Sequence, residues 1–320
     1  MKSLLWAAAI FTALFTLPVQ AEEDCRLHIV ASIPMENLAH SNGIAIPVTI
    51  GGKQFRFLVD TGATHSFISD TAADALGLKR HSFFSVNVDY RFFGGERSTS
   101  YVETRDMTIG GTPVPATRLL VIREGRIKGG SENIDGLIGG NFLTLFDVDF
   151  DFANSKMNLF LPHTCAGRAV YWTADEGKIS KFPFSMSKDH HSGGHIIARA
   201  EVNGKAMDAL VDTGMTFSRM DMELAKSSFG ITEQSPGMQP LGKDVTPKTD
   251  YRYTFKQMQI GGISIDNPMM ILSPKEHTQI TFDTILGMNV LRQLHLFIAY
   301  KERMLYVTAA NERHTAAGSH

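Results

Sequence analysis

Short apolar runs that alternate with polar positions and break at Gly-Gly or Asn-Gly predict strands joined by tight hairpins along this chain. Ile44–Ile50 leads through Gly51-Gly52 into a second run, residues 54–59, which ends at Asp60-Thr61-Gly62. The same order returns later: Ile196–Val202, then Asn203-Gly204, then residues 206–211 ending at Asp212-Thr213-Gly214. Downstream, Met107-Thr-Ile-Gly-Gly111 is matched by Met258-Gln-Ile-Gly-Gly262, their isoleucines falling 49 and 48 residues after the respective aspartates. Asp135-Gly-Leu-Ile-Gly-Gly-Asn-Phe-Leu143 is matched by Asp283-Thr-Ile-Leu-Gly-Met-Asn-Val-Leu291, with Gly139 and Gly287 lying 79 and 75 residues after Asp60 and Asp212. Each half closes with a strand pair, residues 146–152 with 156–160 and residues 294–300 with 304–307. Four landmarks in one order and at one spacing predict a duplicated, all-β chain of two homologous lobes.

Two short helices fit this scheme, residues 69–76 before Gly77 and residues 221–228 before Gly230, each with a capping residue and a terminal glycine. Residues 162–192 hold no long periodic segment and read as the connection, which divides the chain into lobes at 22–170 and 171–320. At the N-terminus, Lys2, an apolar stretch over residues 4–17 and Val19-Gln20-Ala21 read as a signal peptide of residues 1–21. The competing reading is a retained anchor, although the stretch is short for a bilayer. An exported protein follows, periplasmic or secreted, without stable membrane insertion after signal removal. The chain has 43% hydrophobic and 20% charged residues, as soluble globular proteins do. A net charge of −2 gives no ground for a nucleic-acid partner. Export would permit a disulfide between Cys25 and Cys165, the only cysteines; two free buried thiols are the alternative.

The chemistry concentrates at the two repeats of Asp-Thr-Gly. Phe57-Leu58-Val59 and Ala209-Leu210-Val211 are buried-strand runs, and each delivers a carboxylate at its end. Gly62 and Gly214 let the chain turn tightly and bring N–H groups to that carboxylate. Thr61 and Thr213 are placed to tie the loops together, and Thr64 and Thr216 to put a further hydroxyl near each carboxylate. One such tripeptide is an ordinary turn. Two at equivalent repeat positions would meet at a lobe interface, where close carboxylates share a proton and titrate as a unit.

On these motifs, with Leu137-Ile138-Gly139 and Ile285-Leu286-Gly287, the chain resembles the aspartic proteases. Val59-Asp-Thr-Gly-Ala-Thr-His-Ser-Phe-Ile68 is closest to the retropepsin-like branch, whereas two lobes in one chain is the pepsin-like arrangement. The resemblance implies an acid-protease fold of two β-barrel-like lobes with a cleft between them. It also implies an endopeptidase in which Asp60 and Asp212 activate a water on an extended peptide or protein substrate, as a monomer, with no cofactor and no metal. A flap over the substrate is expected at Val88-Asp-Tyr-Arg-Phe-Phe-Gly-Gly-Glu-Arg97, with Tyr90 and Phe92 toward the cleft and Gly94-Gly95 at the tip; an ordinary surface hairpin is the alternative. Met215 stands where the family has a small residue and is expected to narrow the site. No long basic propeptide follows the signal segment. The rival functional class is a peptide-binding module on the same fold. Asp189-His190-His191 with His195 reads as a solvated loop before a strand rather than a metal cluster, and Ser66 beside His65 lacks the elbow of a nucleophile.

Overall fold

The structure, a computed structural model, describes residues 27–39, 41–83, 90–91, 97–123, 133–162, 169–186, 194–243, 249–274 and 282–310. Residues 1–26, with Cys25, and Cys165 lie outside them. Strand dominates, and the architecture is all-β and two-lobed.

Each lobe begins with the expected hairpin. Ile44–Ile50 pairs antiparallel with Lys53–Val59, and Ile196–Val202 with Lys205–Val211. The two-residue turns need positive φ at both positions, and Gly51, Gly52, Asn203 and Gly204 supply it at 57, 74, 47 and 76°. A three-residue strand from the Asp135 segment, Gly136–Ile138, then runs parallel to Lys53–Val59 and antiparallel to Phe67–Ser69. Thr284–Leu286 repeats this against Lys205–Val211 and Arg219–Asp221. The strand carrying each aspartate is thus flanked on both sides, so its end cannot fray.

Both helices appear where their caps place them. Ser69 accepts a hydrogen bond from Ala72 N at the start of Asp70–Ala75, and Asp221 accepts one from Leu224 N at the start of Met222–Phe229. Gly77 and Gly230 follow at φ 62 and 68°.

Beneath the lobes, six strands form one continuous path: Ile29–Pro34, Lys156–Phe160, Asp147–Asp151, Leu294–Ala299, Met304–Ala309 and Ser180–Met186. Its centre is the antiparallel pair of Asp147–Asp151 with Leu294–Ala299, one strand from each half. Val148 and Phe150 face the main core, while Asp147, Asp149 and Asp151 are buried too. Residues 169–172 account for this, because Ala169 and Trp172 pack with Phe160, Phe297 and Tyr306 over the outer face. The connecting segment is therefore a cover as well as a link. It also holds a strand that its sequence pattern did not announce, Ser180–Met186, which pairs with Met304–Ala309 up to Pro183 and with Ile196–Val202 from Phe184 onward. The partner changes at the residue that has no N–H to give.

Asp149 is fully buried and accepts from His295 Nε2 at 2.7 Å, Tyr171 OH at 2.6 Å and Asn158 Nδ2 at 2.9 Å. The Trp172 ring stacks on His295 at 4.1 Å, 4° from parallel. Deleting one member of such a network strands the others in low dielectric. Asp149→Leu is expected to cost about 3–5 kcal/mol in denaturant unfolding. A loss below about 1 kcal/mol, the range of an exposed ion pair, would contradict this account.

Tyr300 follows the strand Leu294–Ala299, 5% exposed, and burial pushes its hydroxyl above its ordinary value of 10.0. Above pH 10 the unfolded chain releases this proton while the folded chain keeps it. Stability is therefore intact below about pH 10 and falls as pH rises beyond it, by up to about 1.4 kcal/mol per unit for one group. Tyr300→Phe is expected to flatten this alkaline slope in unfolding measured from pH 8 to 11, with little change at pH 8.

Candidate active site

Each aspartate follows directly from its strand. Asp60 N donates to Ile138 O and Asp212 N to Leu286 O, both at 3.0 Å, which extends the parallel pairing by one bond and fixes where the side chain leaves. Gly62 N donates to Asp60 Oδ1 at 2.9 Å and Gly214 N to Asp212 Oδ1 at 2.8 Å. These amides favour the charged form of each carboxylate. A Cβ on Gly62 would lie 2.4 Å from Cγ of Asp212, and one on Gly214 would lie 2.3 Å from Cγ of Asp60. Each carboxylate therefore sits on the glycine of the opposite loop, and the two acids face one another across the lobe boundary. Asp212 is 7% exposed and Asp60 half-buried.

The loops are locked together by their threonines. Thr61 Oγ1 donates to Val211 O at 2.7 Å, and Thr213 Oγ1 donates to Val59 O at 2.8 Å. Each hydroxyl also accepts the other threonine's N–H at 3.1 Å. Both residues have 0% exposure. One hydroxyl thus satisfies a buried donor and a buried acceptor at once, on the far lobe.

A second shared pattern supports each loop from behind. Ser66 Oγ donates to Asn141 Oδ1 at 2.7 Å and accepts from Gly139 N at 3.0 Å; Ser218 Oγ donates to Asn289 Oδ1 and accepts from Gly287 N, both at 3.0 Å. A side chain at Gly139 would strike His65 O at 2.4 Å, and one at Gly287 would strike Phe217 C at 2.6 Å. The apolar-apolar-Gly motif is thus a steric requirement. Ser66, Ser218, Asn141 and Asn289 were not singled out from the sequence for this role, although Asn141 and Asn289 stand at one position of the duplicated nonapeptide.

Other sequence candidates are placed differently. Thr216 Oγ1 gives its proton to Ser41 O at 2.6 Å, so that proton points away from Asp212, and Thr64 Oγ1 lies 2.8 Å from His65 Nδ1. Met215 is 5% exposed and packs with Leu210 and Ile285 in a small apolar cluster apart from the main core. His195, expected in a solvated loop, is buried, with Nε2 2.7 Å from Gly62 O. Nothing in its neighbourhood signalled this, because its partner comes from the other half of the chain. Tyr90-Arg91 pairs antiparallel with Arg97-Ser98 in a two-stranded sheet of its own. Phe92, Gly94 and Gly95 lie outside the described residues, as do Asp189, His190 and His191. Among the described residues no three His, Cys, Asp or Glu side chains could hold a metal ion. A cavity of about 700 Å³ opens on the first lobe between His65, Tyr101, Arg118, Asn141 and Leu145, and neither aspartate lines it.

Thr61→Val keeps the shape of the side chain and removes its hydroxyl, leaving Val211 O without this donor and Thr213 N without this acceptor. At about 1–3 kcal/mol for each buried group left unmade, a loss of about 2–5 kcal/mol is expected in chemical denaturation. An unchanged midpoint would show that the lobes are held by other contacts.

Residues 46–142 match the aspartyl protease family model, and residues 198–293 match the model described as "gag-polyprotein putative aspartyl protease". No curated protein matches the chain. Among the described residues no helix is long and apolar enough to cross a membrane. Two matched domains in tandem, each contributing one Asp-Thr-Gly loop to a shared centre, place this chain in the aspartyl protease family as a two-lobed, retropepsin-like member.

Proposed function

We propose that the chain is an endopeptidase that hydrolyses internal bonds of an extended polypeptide, with Asp60 and Asp212 as its catalytic pair. The observation that carries this reading is the seating of each carboxylate on the opposite loop's glycine. Two acids held that close favour a state in which one is ionised and the other protonated. The ionised acid takes a proton from a water between them as that water attacks the scissile carbonyl. The protonated acid donates to the carbonyl oxygen, and the tetrahedral intermediate collapses with proton transfer to the leaving amine. No bond to the enzyme forms.

Both loops come from one chain, which supports a monomer as the working unit, with lobes at 22–170 and 171–320. The pairing of Tyr90-Arg91 with Arg97-Ser98 supports the expected flap over residues 88–97. The composition of residues 1–21 supports export to the periplasm or beyond.

The test compares the chain from Glu22 onward with its Asp212→Asn variant on a diverse peptide mixture between about pH 3 and 7, reading cleaved bonds by mass spectrometry. Removal of one member of an acid–base pair is expected to lower the cleavage rate by at least about 10²–10⁴-fold. Equal cleavage by both proteins would sink the assignment of Asp212. Retention of peptides by both without any cleavage would turn the reading to a binding module.

A further inference from the structure

The second lobe's first strand, Ile196–Val202, is entered through Gly194 and His195. Gly194 has φ 108°, and a Cβ there would come within 3.1 Å of Gly140 Cα, so only glycine lets this segment lie so close to the first lobe. His195 follows it into the lobe boundary, 5% exposed, with Nε2 2.7 Å from the carbonyl oxygen of Gly62. A carbonyl can only accept, so Nε2 carries a hydrogen and donates it. Gly62 is the residue whose N–H holds Asp60 Oδ1 and whose Cα lies against the Asp212 carboxylate. The imidazole thus grips one of the two turns that touch both acids, the one that carries Asp60.

The duplicated position in the first lobe is Gly43, since Ile44 and Ile196 both stand 16 residues before their aspartates. Gly43 has no side chain to offer, and a Cβ there would meet Leu58 Cδ1 at 2.8 Å. Around Gly43 the bonds run the other way: Thr216 donates to Ser41 O, and the Arg292 guanidinium donates to Asn42 O and Gly43 O at 2.8 and 3.2 Å. Those contacts reach the Asp212 half through Thr216 and Arg292, not through the carbonyl of Gly214. The duplication therefore supplies an imidazole donor to the Asp60 loop and a glycine in its place at the other.

We propose that His195 is a positioning residue for the catalytic pair, supplied by the second lobe to hold the Asp60-Thr61-Gly62 turn in place for reaction. This rests on the reading of Asp60 and Asp212 as the catalytic pair. The hydrogen bond holds the Gly62–Ala63 peptide plane, whose own N–H, that of Ala63, donates to Asp60 O at 3.3 Å. It thereby fixes the exit of the turn that carries Asp60 and preserves the clearance above Asp212.

Three chains test this: wild type, His195→Leu, which fills the space without a donor, and His195→Gln, whose amide donates at about the same reach. Hydrogen exchange is read on peptides covering residues 58–66, and kcat and KM on a peptide cleaved by the wild type. The expected result is exchange at least tenfold faster in the Leu variant. Its kcat falls about ten- to a hundredfold with KM within threefold, the scale of a misplaced reacting group. The Gln variant regains most of both. Unchanged exchange in the Leu variant overturns the proposal, as does unchanged kcat. Equal losses in the Gln and Leu variants also overturn it, because packing of the ring and not the donated hydrogen would then be at work. A wild type that cuts nothing, while the Leu variant still exchanges faster, keeps the clamp and sinks the reading of the two aspartates.

Discussion

Two buried threonine hydroxyls, each donating to a backbone carbonyl of the opposite lobe, set the geometry on which the rest of this molecule depends. Their acceptors, Val59 O and Val211 O, belong to the last residues of the two central strands, and the aspartates come next in the chain. Four hydrogen bonds close a compact unit in which no hydroxyl or amide of the two threonines lacks a partner. The net gain per bond is only about 0.5–1.5 kcal/mol, so the unit is not a large store of stability. Its force lies in the penalty for any other arrangement. A sliding of one lobe against the other would leave buried donors and acceptors unmade on both sides, and only one relative placement avoids that.

The sheet beneath the lobes imposes the same placement by a different means. Asp147–Asp151 and Leu294–Ala299 pair so that His295 stands opposite Asp151 and reaches diagonally to Asp149. A slip of one residue would send His295 to the other face of the sheet, away from its acceptor. A buried polar network is poor evidence for stability, since desolvation offsets much of the attraction. As a register device it is effective, because Tyr171, Asn158 and Trp172 are arranged around one position of the pair and no other. The threonine unit and the sheet cluster come from separate parts of each half. Together they leave the two Asp-Thr-Gly loops little freedom to drift.

What the sequence discloses follows from where each signal is stored. Hairpin turns, helix caps and strand-ending aspartates are local, and duplication prints them twice, so Gly51-Gly52, Asn203-Gly204, Ser69 and Asp221 could be read directly. Ser180–Met186 was hidden although Phe182 and Phe184 alternate inward, because Pro183 breaks the hydrogen-bonding pattern that alternation normally reports. The run Asp147-Val-Asp-Phe-Asp151 looks half-solvated in sequence, and it is buried only because the chain from Ala169 to Trp172 returns over it. His195 was misread for the same reason. Its neighbours in sequence are polar and glycine-rich, while its neighbours in space belong to a loop 133 residues away.

Duplication makes two loops, but hydrolysis needs two unlike acids. The backbone frame has been kept nearly identical, with matching amide bonds to both carboxylates at 2.9 and 2.8 Å and matching Ser–Asn–Gly supports. The differences lie in what touches that frame. Ala63 in one loop stands where the other has Met215, whose side chain packs with Leu210 and Ile285 on the sheet face opposite the main core. Thr64 lies against an imidazole while Thr216 spends its proton on Ser41. His195 stands where the first lobe has glycine. These substitutions leave Asp60 half-buried and Asp212 only 7% exposed. The proposed reaction needs one acid ionised and the other protonated, and these unequal surroundings are the asymmetry that two identical loops could not provide.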